Sequence, residues 1–78
     1  MIPLADERLD CMGLVCPRPL FETLKRLKRM SIGQTIEVVG DYPPSVPEIT
    51  DMMRKQGQEI VSTANDGQVW HMIIRKTK

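Results

Sequence analysis

The chain has 78 residues, of which 41% are hydrophobic and 27% are charged, and its formal net charge is +1. A chain of this length forms one small domain whose folded state is only marginally stable. Such a small domain has no room for a large substrate cavity. Because the net charge is close to zero and only three residues are aromatic, we expect no direct DNA binding and we disfavour RNA binding.

The first half of the chain is predicted to form a strand, a helix and a second strand. Residues Glu7–Cys11 have the pattern of a short strand, and Gln34–Gly40 have that of a longer, buried one. Between them we predict a helix from Pro17 to about Met30, because proline suits the first helical position and leucines recur at helical spacing. The apolar face of this helix is formed by Leu20, Leu24 and Leu27.

The second half is predicted to form a helix followed by a β-hairpin. A helix is predicted over Ser45–Gly57, because its first residue and Glu48 have the spacing of a capping box and its last residue suits a C-cap. Strands are predicted at Glu59–Ala64 and Gln68–Arg75, joined by a tight turn at residues 65–67, where glycine supplies a positive φ.

The predicted order β-α-β-α-β-β indicates an α+β fold. Helices between the early strands imply right-handed crossover connections, so we expect a two-layer α/β sandwich. In this arrangement a mixed four-stranded sheet carries both helices on one face. The helix-free face would support at most a weak dimer, so we expect a monomer or a weak dimer.

Cys16 is the candidate reactive residue, because it stands immediately before the predicted first helix. A thiol at a helix N-terminus faces unpaired backbone N–H groups and the positive end of the macrodipole, and both favour the thiolate. Residue type and spacing alone leave two interpretations open. Cys16 is either a nucleophile, sulfur carrier or metal ligand, or a cysteine that only packs at the helix end.

Positive charge is concentrated in the segment that follows this cysteine. Pro17–Met30 carries five basic residues and one acid, whereas the rest of the chain has a net charge of −3. Arg18, Lys25 and Arg29 share the face opposite the leucines and are the candidate partner-binding residues. The alternative is an ordinary solvated face, partly neutralised by Glu22 within the helix.

The other candidate side chains favour structural roles. Cys11 either forms a resolving disulfide with Cys16 or fills the core beneath the first helix, and we favour the core position. His71 and the two cysteines do not have a recognised four-ligand zinc spacing, so we expect neither a metal nor a cofactor. Haem ligation at the Cys-Pro dipeptide is disfavoured. Asp10 is interpreted as a strand-end or turn residue close enough in sequence to affect Cys16.

One extended motif resembles a known family. The run Leu9-Asp10-x-x-Gly13-Leu14-x-Cys16-Pro17-x-Pro19-Leu20 is similar to the signature of the TusA/SirA family of small sulfur-carrier proteins. The resemblance continues downstream in Gly33-Gln34-x-Ile36-x-Val38, Asp41-Tyr42-Pro43, Glu48-Ile49 and Gly57-Gln58-Glu59. It departs from the family at Tyr42, where an acid is usual, and at Pro44 and Pro47, which stiffen the same loop.

The resemblance implies a single sulfur-carrier domain over residues 1–78 that holds a persulfide on Cys16, with Gly13, Pro17, Pro19 and Asp10 in support. The donor would be a cysteine desulfurase or a rhodanese-like protein. The acceptor would belong to tRNA thiolation, cofactor assembly or sulfur oxidation. The activity would be a sulfurtransferase-type relay rather than that of a stand-alone small-molecule enzyme.

Two rival functions stay open. One is an RNA-binding module, because the two-layer shape resembles the C-terminal domain of a bacterial translation initiation factor. The other is a protein-interaction or redox-regulatory module in which Cys16 responds to oxidant.

Nothing in the sequence resembles a membrane span or a secretion signal. No window reaches the roughly 20 apolar residues that cross a bilayer. Met1–Leu4 is followed by Ala5 and then by charged residues rather than by a long apolar stretch. Two cysteines in such a chain favour a reducing compartment over a disulfide scaffold. We therefore expect a cytoplasmic protein that does not bind membranes.

Overall fold

Strands and helices alternate through the first half of the protein and give way to a hairpin in the second. The structure, a computed structural model, describes residues 6–15 and 18–78. Its elements are β1 (Glu7–Cys11), α1 (Arg18–Lys28), β2 (Thr35–Gly40), α2 (Ser45–Gln56), β3 (Glu59–Asp66) and β4 (Val69–Arg75). The predicted order β-α-β-α-β-β is therefore confirmed.

The four strands form one mixed sheet in the order β1-β2-β4-β3. β1 and β2 are parallel, and the other two pairs are antiparallel. Since parallel neighbours end at the same edge of a sheet, Cys11 at the end of β1 pairs with Gly40 at the end of β2. Both the β1–α1 loop and the β2–α2 loop begin at this edge.

The core lies between the sheet and the two helices, as an α+β two-layer sandwich requires. Alternate strand residues point into it, because successive side chains in a strand face opposite sides. β4 contributes Trp70, Met72 and Ile74, which are buried with their β2 and β1 neighbours. Helical members of the core include Leu20, Leu27, Ile49 and Met53.

The opposite, helix-free face of the sheet is covered by charged side chains. Glu37 lies 3.7 Å from Arg8 and 3.4 Å from the Nδ1 atom of His71. On the same face Val39 and Ile73 are buried despite the absence of a helix. His71 is therefore a half-buried surface imidazole with a carboxylate neighbour.

The predicted capping box at the start of α2 is wrong. Pro44 occupies the N-cap, with helical backbone angles, and among the described residues no side-chain capping hydrogen bond is found at this N-cap. Ser45 falls inside the first turn, and its buried hydroxyl has no hydrogen-bond partner among the described residues. The physical reason is that proline already has a helical φ, which extends the helix one residue back.

The C-terminal end of α2 agrees with the prediction. Gly57 has a φ of 80°, and its amide donates to the carbonyl oxygen of Arg54. The amide of Gln58 donates to the carbonyl oxygen of Met53 at 2.8 Å. This pair of bonds forms a Schellman motif, in which a glycine with positive φ ends the helix.

Two further boundaries differ from the prediction. α1 ends at Lys28 rather than near Met30, and its predicted first residue, Pro17, lies outside the described residues. The hairpin turn is shorter than predicted, because Asp66 still pairs with Val69 and only residues 67–68 form the loop. Glycine at the first loop position, with a φ of 67°, suits a type II′ turn.

Neither helix in the described part of the chain is long and apolar enough to span a bilayer.

Candidate functional site

The candidate site lies where the β1–α1 loop leaves the shared carboxyl edge of β1 and β2. Cys16 and Pro17, the predicted nucleophile and its neighbour, lie outside the described residues, whereas both of their flanks are described. The amide of Arg18 donates to the carbonyl oxygen of Val15 at 2.9 Å, and α1 begins at Arg18. In sequence, Cys16 therefore stands two positions before the first residue of α1.

A tight turn carries the chain from β1 towards Cys16. The amide of Leu14 donates to the carbonyl oxygen of Cys11 at 3.1 Å, and Gly13 between them has a φ of 80°. Such a value favours glycine, because a Cβ in this region clashes with the backbone. Beyond Gly13 and its two chain neighbours, no described atom lies within 4 Å of where a Cβ on Gly13 would stand, so the local backbone conformation selects glycine here.

Two carboxylates hold this turn. The Oδ1 atom of Asp10 accepts a hydrogen bond from the amide of Met12 at 2.8 Å, as in an Asx turn. The Oδ1 atom of Asp41 accepts a hydrogen bond from the amide of Gly13 at 3.0 Å. The first contact is local, whereas the second ties the β1–α1 loop to the residue that follows β2.

Asp41 belongs to this site, although it was not among the candidate site residues predicted from the sequence. A usable signal was present, because Asp41 directly follows β2 and the carboxyl ends of parallel strands meet at one edge. The sequence alone, however, could not show that β1 and β2 are neighbours in the sheet. Tyr42, which the resemblance singled out, contributes its backbone carbonyl by accepting a hydrogen bond from Trp70.

Cys11, the other cysteine, is fully buried in the core. Burial is the main cause that raises the pKa of its thiol from 9.0 to about 11, and the carboxylates of Glu22 and Asp10 add to the rise. A thiol with this pKa is almost entirely protonated at neutral pH, and the thiolate is the reactive form. The predicted core position of Cys11 is confirmed.

The surface around the start of α1 is both apolar and positively charged. Large apolar side chains are exposed before and after Cys16 in sequence, namely Met12, Val15 and Phe21. Arg18, Lys25 and Arg29 are all exposed, and Arg29 lies one residue beyond the end of α1. Only Lys25 of these has a described ion-pair partner, Glu22, at 3.6 Å.

Pro19, the remaining predicted support residue, is buried at the start of α1. Its carbonyl oxygen accepts a hydrogen bond from the buried hydroxyl of Thr23 at 2.7 Å. Pro19 is therefore buried in the first turn of α1 rather than facing solvent. Among residues 6–15 and 18–78, no three histidine, cysteine or acidic side chains converge to hold a metal ion.

Comparison with known proteins gives consistent matches over nearly the whole chain. The family described as sulfurtransferase TusA matches residues 7–76. Sulfur carrier protein TusA of Allochromatium vinosum is 33% identical over 72 residues, which span 92% of this chain and 95% of that protein. A protein of Archaeoglobus fulgidus, named as a candidate sulfur carrier, is 31% identical over 70 residues, which span 90% of this chain and 96% of that protein.

A solved structure has the same fold. The crystal structure of a SirA-like protein from Desulfitobacterium hafniense superimposes with a TM-score of 0.81. The match covers 92% of this chain and 99% of that one, at 23% sequence identity. It confirms the predicted α+β sandwich.

Proposed function

Because this chain belongs to the TusA family of sulfurtransferases, we propose that it is a sulfur carrier that holds a persulfide on Cys16. Membership of this family, which the sequence motif also indicated, supports the role of sulfur carrier. The chemistry of the two cysteines supports Cys16 as the residue that carries the sulfur. The proposal covers residues 1–78 as one sulfur-carrier domain.

The burial of Cys11 is the observation that carries the assignment to Cys16. The chain has two cysteines, and a carrier needs one that can ionise and meet a partner protein. Cys11 is fully buried and its pKa is raised to about 11, so it meets neither need. Cys16 is the remaining cysteine, and its place in sequence just before α1 is one where a helix N-terminus favours a thiolate.

The proposed step is a thiol–persulfide exchange. The Cys16 thiolate attacks the outer sulfur of a donor persulfide, R–S–SH, and a new S–S bond forms as the donor S–S bond breaks. The products are Cys16–S–SH and the donor thiolate, R–S⁻, so no external oxidant or reductant is consumed. The same exchange with a nucleophile of the acceptor returns Cys16 to its thiolate.

We propose that partner proteins dock on the surface at the start of α1. Exposed apolar residues such as Val15 and Phe21 supply contact area, and Arg18 adds positive charge beside them. Positive charge on one partner speeds and orients its encounter with an acidic patch on the other. The donor is proposed to be a cysteine desulfurase or a rhodanese-like protein, and the acceptor a protein of tRNA thiolation, cofactor assembly or sulfur oxidation, within the cytoplasm.

The test is direct sulfur loading of the purified chain. The protein is incubated with a cysteine desulfurase and cysteine, and peptide mass spectrometry locates any added sulfur. We expect a gain of one sulfur atom on the peptide that contains Cys16, removable by reductant. Cys11→Ala is expected to load normally, whereas Cys16→Ser is expected not to load.

A second measurement separates this function from its rivals. Alkylation of Cys16 by iodoacetamide is expected to be fast at neutral pH, since a thiolate is required for the reaction. Reaction only at strongly alkaline pH, or sulfur found on Cys11 instead, would contradict the proposal. Salt-sensitive RNA binding retained in Cys16→Ser would support the RNA-binding rival, and formation of Cys16 sulfenic acid without sulfur loading would support a redox regulator.

A further inference from the structure

We propose that Asp41 is a positioning residue for sulfur transfer, whose carboxylate fixes the turn that leads into Cys16. This inference rests on the proposed function, because it assigns a role in the same site. It is carried by one contact between segments that are 28 residues apart, the hydrogen bond from the amide of Gly13 to Oδ1 of Asp41 at 3.0 Å.

The turn needs such a restraint because its central residue is glycine. Gly13 has a φ of 80° and, lacking a Cβ, has more conformational freedom than other residues. Neighbouring bonds fix the chain on either side, from Met12 to Asp10 and from Leu14 to Cys11. The amide of Gly13 itself is bound by Asp41, which completes the set of three bonds across residues 10–14.

The backbone at Asp41 is in turn fixed by the core. Gly40, the preceding residue, lies against the indole of Trp70, and a Cβ at Gly40 would stand 2.7 Å from Cε2 of that ring. The Nε1 atom of Trp70 donates to the carbonyl oxygen of Tyr42, the following residue, at 3.0 Å. Trp70 is 2% exposed, so Asp41 is held on both sides by a buried side chain.

This arrangement separates the roles of Asp41 and Tyr42. The side chain of Asp41 makes the contact with the β1–α1 loop, whereas Tyr42 takes part through its backbone carbonyl. An aromatic residue in place of an acid at position 42 therefore leaves the described contacts of the loop intact. Position 41 therefore requires a side chain of the same length as aspartate that carries a hydrogen-bond acceptor.

Two substitutions at position 41 show whether the hydrogen bond of Asp41 or its negative charge is responsible for the effect. Asp41→Asn removes the charge but keeps an oxygen that can accept from Gly13, whereas Asp41→Ala removes both. We expect Asp41→Asn to take up sulfur at nearly the wild-type rate. We expect Asp41→Ala to be roughly three- to tenfold slower, because small losses of alignment at a reacting group reduce rates steeply.

Alkylation of Cys16 provides a readout that does not require a donor protein. The pH profile of iodoacetamide labelling is measured for wild type, Asp41→Asn, Asp41→Ala and the control Asp51→Ala. Asp51 is an exposed carboxylate on α2, so its removal matches the loss of charge without touching the loop. We expect Asp41→Ala alone to differ in its labelling profile.

The outcomes separate failure of this inference from failure of the proposed function. If wild type loads sulfur on Cys16 and Asp41→Ala equals Asp41→Asn in both loading and labelling, Asp41 has no positioning role. If wild type does not load sulfur, the labelling profiles still decide whether Asp41 acts on Cys16. Amide hydrogen exchange of wild type gives a test without any substitution, since rapid exchange of the Gly13 amide would overturn the inference.

Discussion

The indole of Trp70 lies directly against Gly40, so a Cβ at position 40 would overlap the ring. The two residues are paired across β4 and β2, and a Cβ on Gly40 would stand 2.7 Å from Cε2 of the ring. The contact joins the core to the carboxyl edge of the sheet, where Asp41 and Tyr42 follow. The packing of Trp70 therefore stabilises the core and also fixes the position of the backbone at Asp41 and Tyr42.

Gly40→Ala is predicted to destabilise the protein by about 1–3 kcal/mol, the usual cost of forcing extra atoms into a packed core. The backbone of Gly40 is not in the positive-φ region, so the expected loss comes from steric contact with Trp70, which supplies the three atoms nearest to the added Cβ. Urea unfolding followed by tryptophan fluorescence measures the effect. An unchanged unfolding midpoint would show that the indole can move aside.

Lys76→Met is predicted to destabilise the protein by about 1–2 kcal/mol. The Nζ atom of Lys76 donates to the carbonyl oxygens of Leu27 at 2.7 Å and Met30 at 2.9 Å, and so binds the end of α1. An ammonium group there also offsets the negative end of the helix dipole. Thermal unfolding is the measurement, with Lys55→Met as the control, since Lys55 is exposed on the last turn of α2. Equal effects of the two substitutions would contradict the prediction.

The protonated thiol of Cys11 is predicted to make stability fall at alkaline pH. The pKa of Cys11 is raised to about 11 in the folded protein, so between pH 9 and pH 11 the folded state retains a proton that the unfolded state releases. Unfolding therefore becomes easier as the pH rises through this interval, and the contribution is fully present below about pH 9.

The expected size of this loss is on the order of 2 kcal/mol, because the pKa of the thiol is about 11 in the folded protein and 9.0 when it is not buried. Urea unfolding of wild type and Cys11→Ala at pH 8 and pH 10.5 isolates it, because the other groups titrate alike in both proteins. We expect the stability of wild type to fall more over this interval than that of Cys11→Ala. Parallel falls would show that the Cys11 thiol does not contribute.

Reversal of charge at the start of α1 is predicted to slow sulfur transfer from a donor protein several-fold, mainly by slowing association. Arg18→Glu is the informative change, because Arg18 is exposed and stands two residues after Cys16. Arg54→Glu on α2 is the control for total charge. The difference between the two variants should shrink as salt increases, since exposed charges are screened. Transfer rates that do not depend on salt would contradict the proposed docking role.

The order of elements and most of the core could be predicted from the sequence because they depend on periodicity. The leucines of α1 and the alternating aliphatic residues of β2 each fix one buried face. Errors arose where two local signals competed. Ser45 and Glu48 have the pattern of a cap, but Pro44 already has a helical φ and takes the N-cap position.

The chemistry of the site was predictable only in part. The choice of Cys16 as the reactive residue rests on its neighbours in the chain, and it stays a prediction because the structure does not describe that residue. The contact of Asp41 with Gly13 could not be predicted in this way, because it depends on which strands are neighbours in the sheet. The raised pKa of Cys11 also depends on depth in the core, which sequence spacing could only suggest.

The edge strand β3 contains a β-bulge, which opposes unwanted pairing with strands of other molecules. Its pairing with β4 shifts register between Ile60 and Ser62, so Val61 is an extra residue that bulges from the ladder. A foreign strand approaching this open edge would find the row of amides and carbonyls broken after two residues. The bulge thereby discourages the edge of β3 from pairing with other chains and growing into fibres.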